Sequence, residues 1–347
     1  MLSDHPPMRP IRRRQFLRAS AALATAGLLP GRSVRADQSA PTVSRIKILL
    51  DTDIGSDIDD ALALAYLLMQ PNIECLGITT VTGEPSKRAA LAKRLSDLAG
   101  ATIPIRPGFA TPRSVSNKQP RAPQASKLPN TYLQNAHKTH DPEAAVDLMA
   151  TAIRRNPAEV TLLAVGPFTN VARLLEREPG ISRLLKQLVI MGGKYSDYPT
   201  PWGDSEWNGI VDPEATDILF RKIECPIRAF GFDITWQVSM NAAEVSRSFA
   251  QHPLLEEIKN WSEVWFAERE RLHFHDPIAA ISIIDPTICT YQEGQVHVDL
   301  SADRAGFTDF SALNGSEGSP YSRHGLVEVA TSVDRNKVFD RYFAAFQ

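Results

Sequence analysis

The chain predicts an α/β protein: a predominantly parallel central sheet flanked by helices, with a ligand site at the carboxyl ends of the strands. Three observations carry this expectation. Short apolar, β-branched runs alternate with helix-patterned segments along most of the sequence. Polar and glycine residues fall just after the runs: Asp51 to Asp60, then Thr82-Gly83-Glu84, Gly166-Pro167 and Gly192-Gly193. In a parallel sheet those turns meet on one edge, where α/β folds bind ligands. No internal repeat and no Gly/Ser linker divides the chain, so one domain is expected.

Composition supports this and removes other classes. The 347 residues are 43% hydrophobic and 22% charged, ample for a large core. A net charge of −2 gives no basic bias toward nucleic acid or a membrane surface.

The elements follow in order. Ile46 to Leu50 reads as a buried strand and Ala61 to Leu68 as a helix. Ile73 to Val81 is the next strand, and the helix from Ser86 is ended by Gly100. Ile103 to Gly108 holds a short third strand. A Pro-, Ser- and Asn-rich segment from about 110 to 140 is too long for an ordinary connection, so it is functional or mobile. Asp141-Pro142-Glu143 opens a helix, with Asp141 as cap, Pro142 at the first helical position and Arg154-Arg155 at the C-terminal dipole. A strand at Val160 to Gly166 and a helix from Phe168 to Arg177 come next. Leu188 to Gly193 is a strand, Asp212-Pro213-Glu214 a second helix start, and Cys225 to Phe232 a strand. Leu254 to Leu272 reads as one long amphipathic helix. From about Gln295 the tail reads as two strands and a last helix.

The first residues stand apart. Arg13-Arg14-Gln15-Phe16-Leu17-Arg18 precedes a short, mildly apolar run, and Val34-Arg35-Ala36 offers a small-residue cleavage site before Asp37. This resembles a Tat-type (twin-arginine) signal peptide over 1–36, leaving 37–347 as the mature domain and a periplasmic or secreted product. Arg12 stands where Ser or Thr is usual; the competing reading is a basic N-terminal arm. The apolar run is too short to span a bilayer. Cys75, Cys225 and Cys289 show no paired or metal-binding spacing.

The segment DTDIGSDIDDALAL places Asp51, Asp53, Asp57, Asp59 and Asp60 inside ten residues. Carboxylates this crowded repel, and burying them demands a partner. A hard cation with oxygen ligands is one answer. An EF-hand loop fits poorly, because Gly55 comes one place early and the twelfth position from Asp51 is Leu62. A haloacid-dehalogenase-type phosphatase would need Thr or Val where Gly55 stands, and leaves the later aspartates unexplained.

The same segment resembles the N-terminal signature of the inosine–uridine nucleoside hydrolase family. Three more segments resemble that family in order: Leu162 to Ala172 with its Thr-Asn pair, Met191-Gly192-Gly193 followed by Glu206 to Ala215, and Phe274 to Ala280 with His275-Asp276-Pro277. The resemblance implies Ca²⁺-dependent hydrolysis of the N-glycosidic bond of ribonucleosides to free base and ribose. Carried over by position, the Ca²⁺ ligands are Asp53, Asp60, Asp276 and the carbonyl of Val165. Asp53 is the general base on a metal-bound water, Asp59 faces the ribose hydroxyls, and Glu206 and Asn208 bind the sugar. His275 matches the proton donor to the leaving base. Trp202, Trp207 and Phe274 offer rings for stacking, with simple packing as the alternative. The family also implies a homodimer or homotetramer.

Two departures bear on substrate. Glu84 stands where the family usually has Asn, which places an extra carboxylate near the metal and the sugar. The loop after Gly193, KYSDYPTPWGDS, lacks the Asn usually offered to the 5′ end of the ribose. Asp57 lies in two residues that the shorter signature lacks. These departures motivate a second reading, a metal-dependent nucleoside or pentose binding protein without turnover.

Overall fold

A computed structural model describes residues 45–134, 136, 140–313 and 326–347. The twin-arginine segment lies outside them. Eleven strands are present among the described residues: β1 Ile46–Thr52, β2 Ile73–Thr80, β3 Ile105–Pro107, β4 Val160–Ala164, β5 Gln187–Met191, β6 Ile227–Phe230, β7 Ser239–Asn241, β8 Arg271–His273, β9 Cys289–Val298, β10 Thr308–Ala312 and β11 Val327–Val333. Nine of them form one sheet in the order β10-β9-β11-β6-β5-β4-β1-β2-β3. From β11 to β3 every neighbouring pair is parallel; β9 and β10 add an antiparallel edge.

The strand order explains where a site must form. From β1 the chain winds outward through β2 and β3, then returns and winds the other way through β4, β5 and β6. The reversal lies between β1 and β4, so their carboxyl ends open a crevice. Both strands end at this switch point, Thr52 leading into Asp53 and Ala164 into Val165.

Alternation along the strands builds two cores. Ile48, Leu50, Leu163, Val189 and Phe230 face one side, with the helices Asp59–Leu68, Pro253–Phe266 and His275–Ser282. Leu49, Leu162, Leu188, Ile190 and Ala229 face the other, with the helices Glu143–Arg155, Thr169–Arg177 and Pro213–Lys222. Strands covered on both faces read as continuous apolar runs, which is why they were visible in the sequence.

Several boundaries differ from expectation. The predicted helix over Leu254 to Leu272 ends at Phe266. Charged residues from Glu268 to Arg271 interrupt its apolar face, and Leu272 pairs with Met240 in the separate two-stranded sheet β7-β8. The described residues of the tail hold three strands rather than two, the first starting at Cys289. Pro142 precedes its helix instead of opening it, although Asp141 Oδ1 still accepts from Glu143 N at 3.0 Å. Asp212 caps the helix Pro213–Lys222 as expected, accepting from Ala215 N at 3.2 Å. The three cysteines are unpaired. No helix among the described residues is long and apolar enough to cross a membrane.

Candidate active site and metal centre

The crevice holds a pocket of about 210 Å³ whose floor is acidic and whose wall is aromatic. Asp53 follows β1. Asp59 and Asp60 are the first residues of the helix Asp59–Leu68, and His275 and Asp276 begin the helix His275–Ser282. Two helix N-termini therefore aim at one cluster, and the positive ends of their dipoles offset part of its charge. Carboxylate oxygens of Asp59, Asp60 and Asp276 lie within 4.8 Å of one another, all buried. The backbone N–H of Asp276 points at Asp59 Oδ2, 3.4 Å away.

Hydrogen bonds hold Asp60, Asp53 and Asp51 in place. Asp60 Oδ1 accepts from the Thr52 hydroxyl and from Asp53 N at 3.1 Å. Asp53 Oδ2 accepts from Gln119 Nε2 at 2.5 Å. Asp51 does not line the pocket but sits fully buried behind it, accepting from Thr79 Oγ1 at 2.5 Å and Asn170 Nδ2 at 2.7 Å. Asn170 also accepts from Phe109 N at 3.0 Å, so it ties the β1, β2 and β3 ends together rather than capping its own helix. Gly166 fits where nothing larger can: a Cβ there would lie 2.8 Å from Asp53 N and 2.9 Å from Asp53 Oδ1.

Electrostatics show what the cluster lacks. Burial raises the carboxyls of Asp53, Asp59, Asp60 and Asp276, and their mutual repulsion raises the last three further. Burial pushes Asp51, Asp57 and Glu206 up to about 7. The nearby buried cation, Arg88, turns away. Its guanidinium donates to the carbonyls of Asp53, Ile54 (3.2 Å), Thr82 (3.2 Å), Gly83 (2.8 Å) and Arg121 (2.9 Å), and to Ser56 Oγ (3.0 Å). It braces the loop backbone, including Thr82 and Glu84 at φ 59° and 52°, and its charge favours the ionised forms of Asp53 and Asp60 but does not offset the burial that raises them. Arg88→Met is expected to lower unfolding free energy by about 3–5 kcal/mol, read from the denaturant midpoint, because it strands these buried acceptors. An unchanged midpoint would contradict that bracing role.

An all-oxygen set of buried carboxylates short of positive charge fits a hard cation such as Ca²⁺ or Mg²⁺. The sequence placed Asp53, Asp60, Asp276 and the Val165 carbonyl in that set. The structure brings all four to the pocket, and the carboxylates found within 4.8 Å of one another among the described residues are those of Asp59, Asp60 and Asp276, with Asp59 in place of Asp53. Val165 O accepts from Asn208 Nδ2 at 2.7 Å, and the same amide reaches Met191 O at 3.0 Å, joining the ends of β4 and β5.

The remaining expectations divide. Glu206 Oε1 accepts from Asn208 N at 2.8 Å and its Oε2 from Gly193 N and Gly209 N, each at 2.9 Å. His275 lines the pocket, its Nδ1 2.7 Å from Thr235 Oγ1, and burial, aided by His273, depresses its pKa well below the usual value. Trp202 and Trp207 line the wall, Trp202 stacked on Phe232 at 5.0 Å. Phe274 is buried against Phe339 and Tyr342, so it packs and does not reach the pocket. Glu84 is also not a pocket residue. Its carboxylate bonds Lys87 Nζ at 2.5 Å and Ala122 N at 2.9 Å, which corrects its expected place beside the sugar. Gln119, Ser56, Phe232, Trp265 and Arg269 line the pocket without having been singled out in the sequence. They come from irregular segments and element ends, where no periodicity marks them.

Known proteins agree with this geometry. Residues 48–340 match the profile described as inosine-uridine preferring nucleoside hydrolase. The chain is 32% identical over 305 residues to the inosine-uridine preferring nucleoside hydrolase of Leishmania major, covering 84% of this chain and 94% of that protein. It is 30% identical over 303 residues to the non-specific ribonucleoside hydrolase of Escherichia coli, with coverage of 84% and 94%. A solved plant nucleoside hydrolase superposes with a TM-score of 0.71 at 26% identity, covering 86% of this chain and 98% of that one. The shared fold, the acidic floor at its switch point and a match across most of the sequence lead to one assignment: the chain belongs to the inosine-uridine preferring nucleoside hydrolase family.

Proposed function

We propose that this chain hydrolyses the N-glycosidic bond of ribonucleosides with Ca²⁺ held by Asp53, Asp60, Asp276 and the Val165 carbonyl. The observation that carries the reading is the convergence of Asp59, Asp60 and Asp276 at two helix N-termini beneath an aromatic wall. When bound, the ion supplies the missing positive charge, acidifies a water and orients sugar hydroxyls.

The chain's own groups do the rest. Asp53, with one oxygen held by Gln119, takes the proton of the attacking water. Asp59 and Asn208 bind ribose hydroxyls, and Glu206, fixed by three backbone N–H groups, closes the sugar end. The carboxylates favour the positive charge that grows on the ribosyl carbon. Burial favours the uncharged form of His275, and in the tautomer in which Thr235 donates to Nδ1 the ring proton sits on Nε2 and hydrogen-bonds the departing base. Trp202 and Trp207 offer faces to that base. The binding-protein reading rested partly on Glu84, and its support weakens with that carboxylate on Lys87 and Ala122. Incubation with purine and pyrimidine ribonucleosides is expected to release free base; binding without release over hours would favour the alternative.

Residues 1–36 act in this reading as a twin-arginine export signal, placing 37–347 outside the cytoplasm, where Ca²⁺ is available. An exported chain beginning at Asp37 supports this; an uncleaved cytoplasmic one overturns it.

A further inference from the structure

We infer that Gln119 is a positioning residue that fixes the Asp53 carboxylate and the Trp207 ring together. Its Nε2 donates to Asp53 Oδ2 at 2.5 Å and to Ser56 Oγ at 2.7 Å, while its Oε1 accepts from the Trp207 indole N–H. The amide can sit only one way round. Asp53 as a carboxylate only accepts and an indole N–H only donates, so a flipped amide would set oxygen against oxygen and N–H against N–H.

The loop that carries Gln119 is built to hold it there. Gln119 N donates to Asn117 Oδ1 at 2.8 Å, and Asn117 Nδ2 to Ala110 O at 2.8 Å. Ala122 N donates to Glu84, Arg88 donates to Arg121 O, and Gln124 Nε2 donates to Ser56 O at 2.8 Å. Gly83 packs so closely that a Cβ there would lie 2.3 Å from Gln119 O. Gln119 is 7% exposed. The Pro/Ser/Asn-rich segment is thus a fixed wall of the pocket over these residues. Two consequences follow. Asp53 has one Oδ2 lone pair taken and its carboxylate plane fixed, which leaves its other lone pairs oriented for proton transfer and cation. Trp207 has its N–H occupied, which leaves it a ring face and no donor for a ligand.

This inference rests on the hydrolase reading, and the test separates the two. Gln119→Leu is expected to lower kcat, read at saturating Ca²⁺ and nucleoside, by about 10–100-fold. The near-UV circular dichroism that Trp207 contributes, obtained by difference from Trp207→Phe, is expected to collapse in the Gln119→Leu background. Gln119→Glu keeps an acceptor for Trp207 but sets an oxygen against Asp53, so it keeps the Trp207 signal and loses kcat; it carries the test if Gln119→Leu does not fold. In a cycle of Gln119→Leu and Trp207→Phe the kcat losses are less than multiplicative. Wild-type kcat at saturating Ca²⁺ in either Gln119 variant, or an unchanged Trp207 signal in Gln119→Leu, overturns the inference. Absence of base release by the wild type overturns the hydrolase reading instead, and the Trp207 signal then still decides the role of Gln119.

Discussion

Asp53→Asn is expected to lower turnover by about 10³–10⁴-fold, the upper range for loss of a general base with a weakened cation site, while the protein stays folded. The substitution keeps shape. An Asn carbonyl can still accept from Gln119 Nε2, so the side chain holds its place and loses only its charge and basicity. Removing that charge also relieves repulsion with Asp60 and Asp276, which offsets what is lost toward Arg88. Steady-state base release and a thermal melt read the two halves separately. Turnover within tenfold of wild type would remove Asp53 from the mechanism.

Asp276→Asn tests the cluster as a cation site by stability rather than rate. Three buried carboxylates within 4.8 Å are a strain on the cation-free protein and a clamp when a cation arrives. In the wild type, Ca²⁺ at about 100 times its dissociation constant is expected to stabilise by about 2.7 kcal/mol through linkage. In Asp276→Asn that increment shrinks toward zero, and the cation-free variant melts no lower than the cation-free wild type. Asn is nearly isosteric and can still be seated at the helix N-terminus, so a global loss of fold is not expected. A full Ca²⁺-dependent rise in Tm in the variant would show that the ion binds elsewhere.

The sequence made the centre of the sheet legible and its margins much less so. β1, β4 and β5 are buried on both faces over most of their length, and burial on both faces writes a plain apolar run. β7 and β8 have three residues each, too short for any period to show, and their pairing ends the helix that had been extended to Leu272. The aspartates could be found because they crowd one stretch and because the resemblance spans four segments. Arg88 could not: on a helix rich in Lys and Arg it reads as solvated, and only the turn over Thr82 to Glu84 gives it buried acceptors. Glu84 was misplaced for a related reason. Its left-handed backbone sends the side chain along the following helix to Lys87, a direction that sequence spacing does not carry. Gln119 needed the fold itself, since the two groups it joins lie 66 and 88 residues away.

The most direct measurement is base release from inosine and uridine by chelator-stripped protein titrated with Ca²⁺, with ion binding followed in parallel. The account predicts no release from the stripped protein and activity that rises with occupancy to a plateau at one ion per chain. Full activity in excess chelator, or an ion bound at the cluster with no base released, would contradict it.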